Sequence, residues 1–265
     1  MKVLAVMNEK GGVGKTNVVA HAGWYFEERG RARGGGRALV VDLDQQANLS
    51  STLAAHLSPD VESVDLFAEP TAVPPGDGFL TVTRSTRALL GVEAVAAAAV
   101  AAGDPSPIVT FRDSLAATAA AKTFDVCVID TPPSLTNRTF GALLAADAVL
   151  APVGVNEYSM AGVKELLAAI KGVSEFYGRP RPLFLGLLPS LYDRKSRRER
   201  ELYEDLVRNV GKIVFPGMVA KRDAYARAAS ERVPVWEMKG APAREAADEI
   251  RGVLATVAEK MGLPR

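Results

Sequence analysis

A glycine-rich loop close to the N-terminus carries two lysines and a threonine at a spacing that suits phosphate binding. The segment reads Lys10-Gly11-Gly12-Val13-Gly14-Lys15-Thr16. Backbone N–H groups of such a loop can point inward at an anion, and a following helix adds the positive end of its dipole. At this spacing Lys15 brings a mobile cation to the β- and γ-phosphates, and the Thr16 hydroxyl brings a ligand for Mg²⁺. We interpret the loop as a nucleoside-triphosphate site; the alternative is a glycine-rich turn with two solvated lysines.

The loop departs from the general phosphate-loop pattern G-x-x-x-x-G-K-[ST]. Glu9 stands where the first glycine of that pattern would be, and a second lysine, Lys10, comes just before the glycines. Asn17 follows the threonine, and because an amide can hydrogen-bond a phosphate oxygen we expect no loss of binding. The loop is thus a variant that keeps the lysine and the hydroxyl.

Carboxylates follow two apolar segments further along the chain. Asp42 and Asp44 lie at the end of the run of residues 38–43, and Asp130 ends the run of residues 124–130. Because side chains alternate along a strand, Asp42 and Asp44 share one face, and open α/β sheets bind ligands at the carboxyl ends of their strands. We expect the pair to act on Mg²⁺ and water, and Asp130 to hold Mg²⁺ through its waters close to the loop threonine. The alternatives are that the pair caps the next turn and that Asp130 caps a helix.

These residues need a scaffold of alternating strands and helices, and the apolar patterns predict one. Runs typical of buried parallel strands occur at residues 2–7, 38–43, 79–83, 124–130, 148–153, 183–188 and 212–215. Helices are predicted at residues 18–28, 50–57, within 84–102, and at 108–121, 137–145, 160–177, 223–231 and 244–261, with a loop at 58–78. The predicted fold class is α/β, a mostly parallel twisted sheet with helices on both faces. No repeat or linker divides the chain, so we expect a single domain over residues 1–265.

Composition narrows the class of protein. The chain is 48% hydrophobic, enough for a full core, and its net charge of +1 predicts no nucleic-acid surface for the molecule as a whole. A single cysteine, Cys127, excludes a disulfide framework within the chain and argues against an iron–sulfur cluster. The two histidines, His21 and His56, lack the ligand spacing of a zinc site. The N-terminus already reads as a strand and no apolar run reaches the ~18 residues that span a bilayer, so we expect a cytoplasmic protein.

The three motifs together resemble those of the ParA/MinD family of P-loop ATPases, whose deviant Walker A motif carries an extra lysine as its signature. Lys10 matches that lysine, and residues 42–49 match the second family motif, with Gln45 where the family often has proline. Asp130 and the Thr131-Pro132-Pro133 that follows it match the Walker B strand and its continuation. The resemblance covers nearly the whole chain, the C-terminal third by order of elements only. It implies a P-loop NTPase fold of the deviant Walker A type, with ATP and Mg²⁺ as cofactors.

The resemblance also implies roles for individual residues. By match, Asp44 orients the attacking water, Asp42 supports the magnesium shell, and Lys10 acts on the phosphates of a facing subunit. Glu157 would reach the ribose across the dimer, the alternative being a carboxylate favoured by a helix dipole, and the turn at residues 216–218 would border the adenine. The residues expected to bind the nucleotide are Lys10, Gly11, Gly12, Val13, Gly14, Lys15, Thr16, Asn17, Glu157, Pro216 and Met218.

A basic segment at residues 192–201 has two explanations. It carries five basic and three acidic side chains, which suits either a solvated helix start or contact with the phosphate backbone of DNA. Backbone contact needs only clustered Arg and Lys, and a later helix could extend the patch. The candidate DNA contacts are Arg194, Lys195, Arg197, Arg198, Arg222 and Arg227.

The function implied by the resemblance is ATP-hydrolysing DNA segregation. An ATP-driven homodimer would bind DNA without sequence preference, associate with the nucleoid, and be released on hydrolysis stimulated by a ParB-type partner. The alternatives are a MinD-like ATPase that positions itself on a membrane surface and a metabolic ATPase or ligase of the wider superfamily. The apolar stripe of residues 244–261 lacks a strongly basic opposing face, so we expect core packing and no membrane contact. No helix-turn-helix segment precedes the loop, which favours a short member of the family.

Overall fold

The computed structural model describes residues 1–102, 106–155 and 160–264 of the chain. Its strands are β1 Lys2–Val6, β2 Ala38–Asp42, β3 Leu57–Glu62, β4 Leu80–Arg84, β5 Val126–Asp130, β6 Ala148–Gly154, β7 Leu183–Tyr192 and β8 Val219–Ala220. Its helices are α1 Lys15–Ala32, α2 Asn48–Thr52, α3 Asp65–Ala68, α4 Gly91–Ala102, α5 Pro107–Ala120, α6 Asn137–Ala145, α7 Met160–Phe176, α8 Arg197–Val210, α9 Asp223–Glu231 and α10 Ala241–Lys260. Short 3₁₀ turns lie at Ala54–His56, Arg87–Leu90, Gly211–Ile213 and Val235–Glu237.

In the described part of the chain, the eight strands form one sheet in the order β3-β4-β2-β5-β1-β6-β7-β8, and all neighbours are parallel. The central strands β2 and β5 are short apolar runs buried along their whole length, as parallel strands covered on both faces must be. Asp130 at the end of β5 is level with Val6 of β1 and with Asp42 of β2. The sheet therefore brings the ends of three motif-bearing strands to one edge, and the predicted α/β class is confirmed.

Helices cover both faces of the sheet, because alternate side chains of each strand face opposite ways. In β1, Leu4 and Val6 belong to a core shared with α1, α9 and α10, whereas Val3 and Ala5 belong to a core shared with α5, α6 and α7. The apolar stripe of α10 is buried in the first core through Ala246, Ile250, Val253, Leu254 and Val257. Core packing of the closing helix is thus confirmed. None of the helices within the described ranges combines the length and the apolar character needed to cross a membrane.

Two predictions for individual segments are wrong. Residues 58–62, predicted as part of a loop, belong to β3 at the edge of the sheet. Pro59 is tolerated there because an edge strand can leave one side of its backbone unpaired. Residues 212–215, predicted as a strand, contain the end of a 3₁₀ turn and a single bridge between Val214 and Leu187. The strand that pairs with β7 comes later in the chain, at β8.

Two predicted helices also differ in extent. Helix α1 begins at Lys15 and ends at Ala32, whereas its predicted range was residues 18–28, so the helix continues through Gly30. Glycine fits at this position because the backbone carbonyl of Gly36 lies where a β-carbon would be. The helix predicted for residues 50–57 is instead α2 followed by a 3₁₀ turn.

Candidate functional site

The phosphate loop connects the end of β1 to the start of α1 and requires glycine at two positions. Gly12 and Gly14 have φ values of +74° and +86°, in the left-handed region that other residues rarely adopt. At Gly14 a β-carbon would also lie 2.8 Å from Oγ of Ser190 in β7. Gly14 is the N-cap of α1, so the N–H groups of the loop and the positive end of the helix dipole meet here. The backbone is shaped to receive an anion.

Lys15 holds its ammonium group inside this loop. Its Nζ donates hydrogen bonds to the carbonyl oxygens of Asn8, at 3.0 Å, and Lys10, at 2.8 Å, and the residue is only 6% exposed. Burial lowers the pKa of Lys15, and the neighbouring carboxylates of Asp130 and Asp44 oppose that effect. Because the cation is already largely withdrawn from water, a phosphate bound here would gain a strong charge-assisted hydrogen bond.

Thr16 and Asp130 form the part of the site that fits a magnesium ion. Oγ1 of Thr16 donates to Oδ2 of Asp130 at 2.8 Å. Oδ1 of Asp130 is buried and has no hydrogen-bond partner among the described residues. Burial and the nearby Asp42 raise the pKa of Asp130 well above its usual range, so a cation beside it would favour the ionised form. Mg²⁺ binds proteins through one or two such oxygens together with phosphates and waters, which these two residues can provide.

Asp42 and Asp44 lie close to Asp130 in different environments. Asp42 is fully buried and accepts hydrogen bonds from N and Oγ of Ser50, at 2.8 and 2.7 Å, and from N of Asp44, at 3.1 Å. Burial raises the pKa of Asp42 to about 6 in spite of these bonds. Asp44 is half-buried, and its Oδ1 accepts from N of Gln46 at 3.1 Å. Asp42 is therefore the inner carboxylate that holds the loop, and Asp44 is the accessible one.

Two serines that the motifs do not identify complete this network. Oγ of Ser85, beyond β4, donates to the carbonyl oxygen of Asp44 at 2.6 Å, and N of Ser85 donates to Oγ of Ser50 at 2.9 Å. Ser50 in turn bonds the inner carboxylate of Asp42. Serines are common in turns and helix starts, so the sequence carries no pattern that marks these two.

A pocket of about 570 Å³ adjoins the loop on the side of Thr16 and Asn17. Opposite them it is lined by Leu191 in β7 and by residues 221–223 beyond β8. Leu191 is the residue before the last of β7, and residues 221–223 follow β8, so both lie at the carboxyl ends of strands, where open α/β sheets bind ligands. The pocket is therefore the candidate site for the remainder of a nucleotide.

The predicted base contacts, Pro216 and Met218, are not among the residues that line this pocket. They come directly before β8, whose first residue, Val219, is level with Ser190 of β7. The charged run of residues 221–223, directly after an apolar pair, repeats the pattern of the other two strand ends. That pattern was available in the sequence and favours the later position.

Of the two residues expected to act across a dimer, Lys10 is among the described residues and Glu157 is not. Lys10 is exposed on the loop, and its backbone is held at both ends, since its N donates to Oδ1 of Asn8 at 3.0 Å and its carbonyl accepts from Lys15. Glu157 lies outside the described residues.

The candidate DNA contacts are not equivalent. Arg222, predicted to extend the basic patch, has a side chain only 17% exposed and forms ion pairs with Glu245, at 2.7 Å, and Glu249, at 2.9 Å, of α10. Arg194 also pairs with Glu249, at 3.2 Å. Two carboxylates pair with Arg222, and its contact with DNA stays a prediction. The remaining candidates, all at exposed positions, are Lys195, Arg197, Arg198 and Arg227.

Comparison with known proteins agrees with this geometry. The family model described as the CobQ/CobB/MinD/ParA nucleotide binding domain matches residues 4–235. Protein IncC of Escherichia coli is 35% identical over 273 residues, covering 98% of this chain and 70% of IncC. The chromosome-partitioning ATPase Soj of Thermus thermophilus is 32% identical over 229 residues, covering 86% of this chain and 84% of Soj.

A solved structure shares the fold over almost the full length. Cobyrinic acid a,c-diamide synthase from Mycobacterium smegmatis, with bound ADP and magnesium, matches with a TM-score of 0.73 at 27% identity. The match covers 99% of this chain and 96% of that one. The similarity thus extends from the phosphate loop to the closing helix.

Proposed function

The chain belongs to the CobQ/CobB/MinD/ParA family of nucleotide-binding domains, and on that premise we propose that it is a Mg²⁺-dependent ATPase that partitions DNA. The observation that carries the proposal is the arrangement of the phosphate loop. Lys15 points into the glycine loop, and Thr16 meets Asp130 at the adjoining strand end. The similarity to Soj, a chromosome-partitioning ATPase by name, supports the biological role.

Each catalytic role rests on a contact within the site. The loop amides and Lys15 would bind the triphosphate and offset charge on the transferred phosphoryl group. Thr16 and, through water, Asp130 would hold Mg²⁺, which supplies further charge neutralisation when bound. Asp44 would orient the attacking water, since its carboxylate is the accessible one, while Asp42 keeps the Asp44 loop in place.

We assign the base and ribose to the pocket beside Thr16 and Asn17. Its opposite wall combines the apolar Leu191 with the polar residues 221–223, which suits a flat base carrying hydrogen-bonding edges. Pro216 and Met218 are not among the lining residues, and their contact with the base stays a prediction.

The proposed switch is an ATP-dependent dimer in which Lys10 acts on the nucleotide of the facing subunit. Two triphosphates brought face to face repel each other, and a lysine from each chain would make closure favourable only while the γ-phosphate is present. Lys10 is exposed on the loop, and its backbone N donates to Oδ1 of Asn8. Exposed basic residues before and within α8, including Lys195 and Arg198, would contact DNA phosphates.

Binding to random-sequence DNA in the presence of ADP, ATP and a non-hydrolysable analogue tests the proposal. We expect binding with the analogue, transient binding with ATP and none with ADP, and turnover stimulated by DNA together with a ParB-type protein. Equal DNA binding in all three nucleotide states would contradict it. The MinD-like alternative is tested by replacing the DNA with anionic vesicles and using the same three nucleotides. That alternative predicts that the protein sediments with the vesicles only when ATP or the analogue is present.

Substitution of Lys10 tests the role in the facing subunit. Lys10→Ala should still bind ADP but should no longer dimerise with the analogue in light scattering, whereas Lys260→Ala, an exposed lysine at the end of α10, should dimerise like the wild type. Unchanged dimerisation of Lys10→Ala would exclude the role.

A second candidate function is a metabolic ATPase or ligase. This alternative is supported by the match to a diamide synthase, which is 27% identical and covers 99% of the chain. Such an enzyme needs an acidic small-molecule substrate, so its turnover would depend on that substrate and would be unaffected by DNA. Stimulation by DNA and a partner, without any metabolite, excludes the ligase.

A further inference from the structure

A buried arginine lies next to the loop that carries Asp44. Within the described ranges, Arg138 at the start of α6 is the one arginine that is buried, with 3% of its surface exposed. Burying a guanidinium costs several kcal/mol unless its donors are paired, so its partners indicate what the group does.

Two of its hydrogen bonds go to the residues on either side of Asp44. Nη1 donates to the carbonyl oxygen of Leu43 at 3.0 Å and to Oε1 of Gln45 at 2.6 Å. Both acceptors are neutral oxygens, so Nη1 forms no ion pair. It fixes the backbone and side chain of the segment Leu43–Gln45 instead.

The other end of the guanidinium is held by Glu93 of α4. Nε donates to Oε1 of Glu93 at 3.2 Å, and Oε2 of Glu93 accepts from N and Nδ2 of Asn137, at 3.0 and 2.7 Å. Burial opposes ionisation of Glu93, but the hydrogen bonds from Asn137 and Arg138 outweigh it and keep its pKa below the usual value. The arginine is thus anchored by an ionised carboxylate at the N-terminus of α6.

The backbone around Asp44 is consequently fixed from several directions. N of Leu43 donates to the carbonyl of Asp130, the carbonyl of Asp44 accepts from Ser85, and Arg138 holds the carbonyl of Leu43. Of these bonds, the one from Arg138 comes from a charged group and is the stronger kind. A displacement of about 1 Å in a water-orienting group can cost on the order of 100-fold in rate.

We propose that Arg138 is a positioning residue for hydrolysis: anchored by Glu93, it holds the Leu43–Gln45 segment so that the carboxylate of Asp44 stays in place to orient water. The inference rests on the proposed ATPase function and adds a residue outside the three nucleotide motifs. Among the described residues, the hydrogen-bond partners of Arg138 are Glu93, Leu43 and Gln45, and Arg138 does not line the base pocket. Its removal should therefore affect the chemical step and spare nucleotide binding.

Turnover of ATP and affinity for ADP in matched variants test this inference. Arg138→Met should lower kcat at least about tenfold while the Kd for ADP stays within about threefold of wild type. Arg138→Lys, which keeps the charge, should recover part of the loss, and Gln45→Ala should cause a smaller loss. The control is Arg251→Met, which breaks the ion pair with Glu28 away from the site and should leave both values unchanged.

A double variant separates positioning from general damage. If Arg138 acts through Asp44, adding Arg138→Met to Asp44→Asn should reduce single-turnover hydrolysis no further, whereas independent effects would multiply. Multiplying losses, or a wild-type kcat in folded Arg138→Met, would overturn the inference. Should Arg138→Met fail to fold because Glu93 is left unpaired, the pair Glu93→Gln with Arg138→Met removes both charges and is measured in the same way.

Different results would refute the proposed ATPase function and the positioning role of Arg138. A wild-type protein without Mg²⁺-dependent ATP hydrolysis would refute the proposed function itself. A wild-type protein that hydrolyses ATP, with Asp44→Asn strongly impaired and Arg138→Met fully active, would refute only the positioning role.

Discussion

The acid sensitivity of this protein should depend on His21, which is buried on the side of α1 that packs against the turn at Val235–Glu237. Its Nδ1 donates to the carbonyl of Asn17 at 2.8 Å, and its Nε2 accepts from N of Val235 at 3.2 Å. These partners define the tautomer, since a carbonyl only accepts and an amide N–H only donates. Three rings pack edge-on against the imidazole: Trp24, Tyr225 and Trp236. A second proton would face the N–H of Val235 without an acceptor.

The magnitude follows from the shift in pKa. Burial lowers the pKa of His21 from its ordinary 6.5 to about 4, so the unfolded chain takes up this proton before the folded protein does. The stability contributed by the neutral imidazole is present above about pH 6.5 and is lost as the pH falls towards 4. At about 1.4 kcal/mol per pKa unit, the loss is about 1.4 kcal/mol at pH 5.5 and about 2.5 kcal/mol at pH 4.5.

His21→Phe keeps a ring in this space and removes the titration. It leaves the N–H of Val235 unpaired, so the variant should be less stable than wild type by about 1–3 kcal/mol at pH 7. The gap should then shrink by about 2.5 kcal/mol at pH 4.5, because only the wild type loses the contribution of the neutral imidazole.

Urea unfolding of both proteins at about pH 7, 5.5 and 4.5 measures the difference between their free energies of unfolding. The titration of every other group cancels in that difference. The control is His56→Gln, which replaces the other histidine, a partly buried one. Its unfolding is measured at the same three pH values, and it shows what removing a histidine does by itself. A gap that stays constant between pH 7 and pH 4.5 would refute the reasoning.

Three further substitutions test the site and its frame. Gly14→Ala should weaken ADP binding at least about tenfold in a fluorescence titration, because the left-handed φ and the contact with Ser190 force the loop to move. Gly30→Ala should lower the free energy of unfolding by about 2 kcal/mol in urea, since the methyl group would overlap the carbonyl of Gly36. Thr16→Ala should raise the Mg²⁺ concentration for half-maximal ATP turnover at least about tenfold, because the ion loses a hydroxyl ligand. Wild-type values in any of these assays would contradict the contact concerned.

Local sequence patterns were sufficient to predict the strand and the helix on either side of the phosphate loop. The strand before residues 10–16 and the helix after them depend on apolar spacing and on glycine, both of which act within a few residues. The strand ends at Asp42 and Asp130 were also predicted, because each apolar run is closed by a charged residue. Their level register required only that the two strands be parallel neighbours.

Contacts between distant segments could not be predicted in this way. Arg222 lies next to another basic residue in the sequence, yet α10 brings Glu245 and Glu249 against it from 23 and 27 positions away. The strand at the edge of the sheet begins only at residue 219, so the turn at residues 216–218 falls before it and not at its carboxyl end. The sequence did not predict where this strand begins, and contact of residues 216–218 with the base stays a prediction.

By itself, then, the sequence determined the class of fold and the chemistry of phosphate binding, since both depend on residue types at short and regular spacing. Only the tertiary structure decided which charged groups are exposed and which are buried or ion-paired. It left Lys10 exposed, bound Arg222 to α10, and buried Arg138 beside the Asp44 loop. The physical reason is that the pairing of a charge depends on what packs against it, and the packing of helices on a sheet joins residues that no local pattern relates.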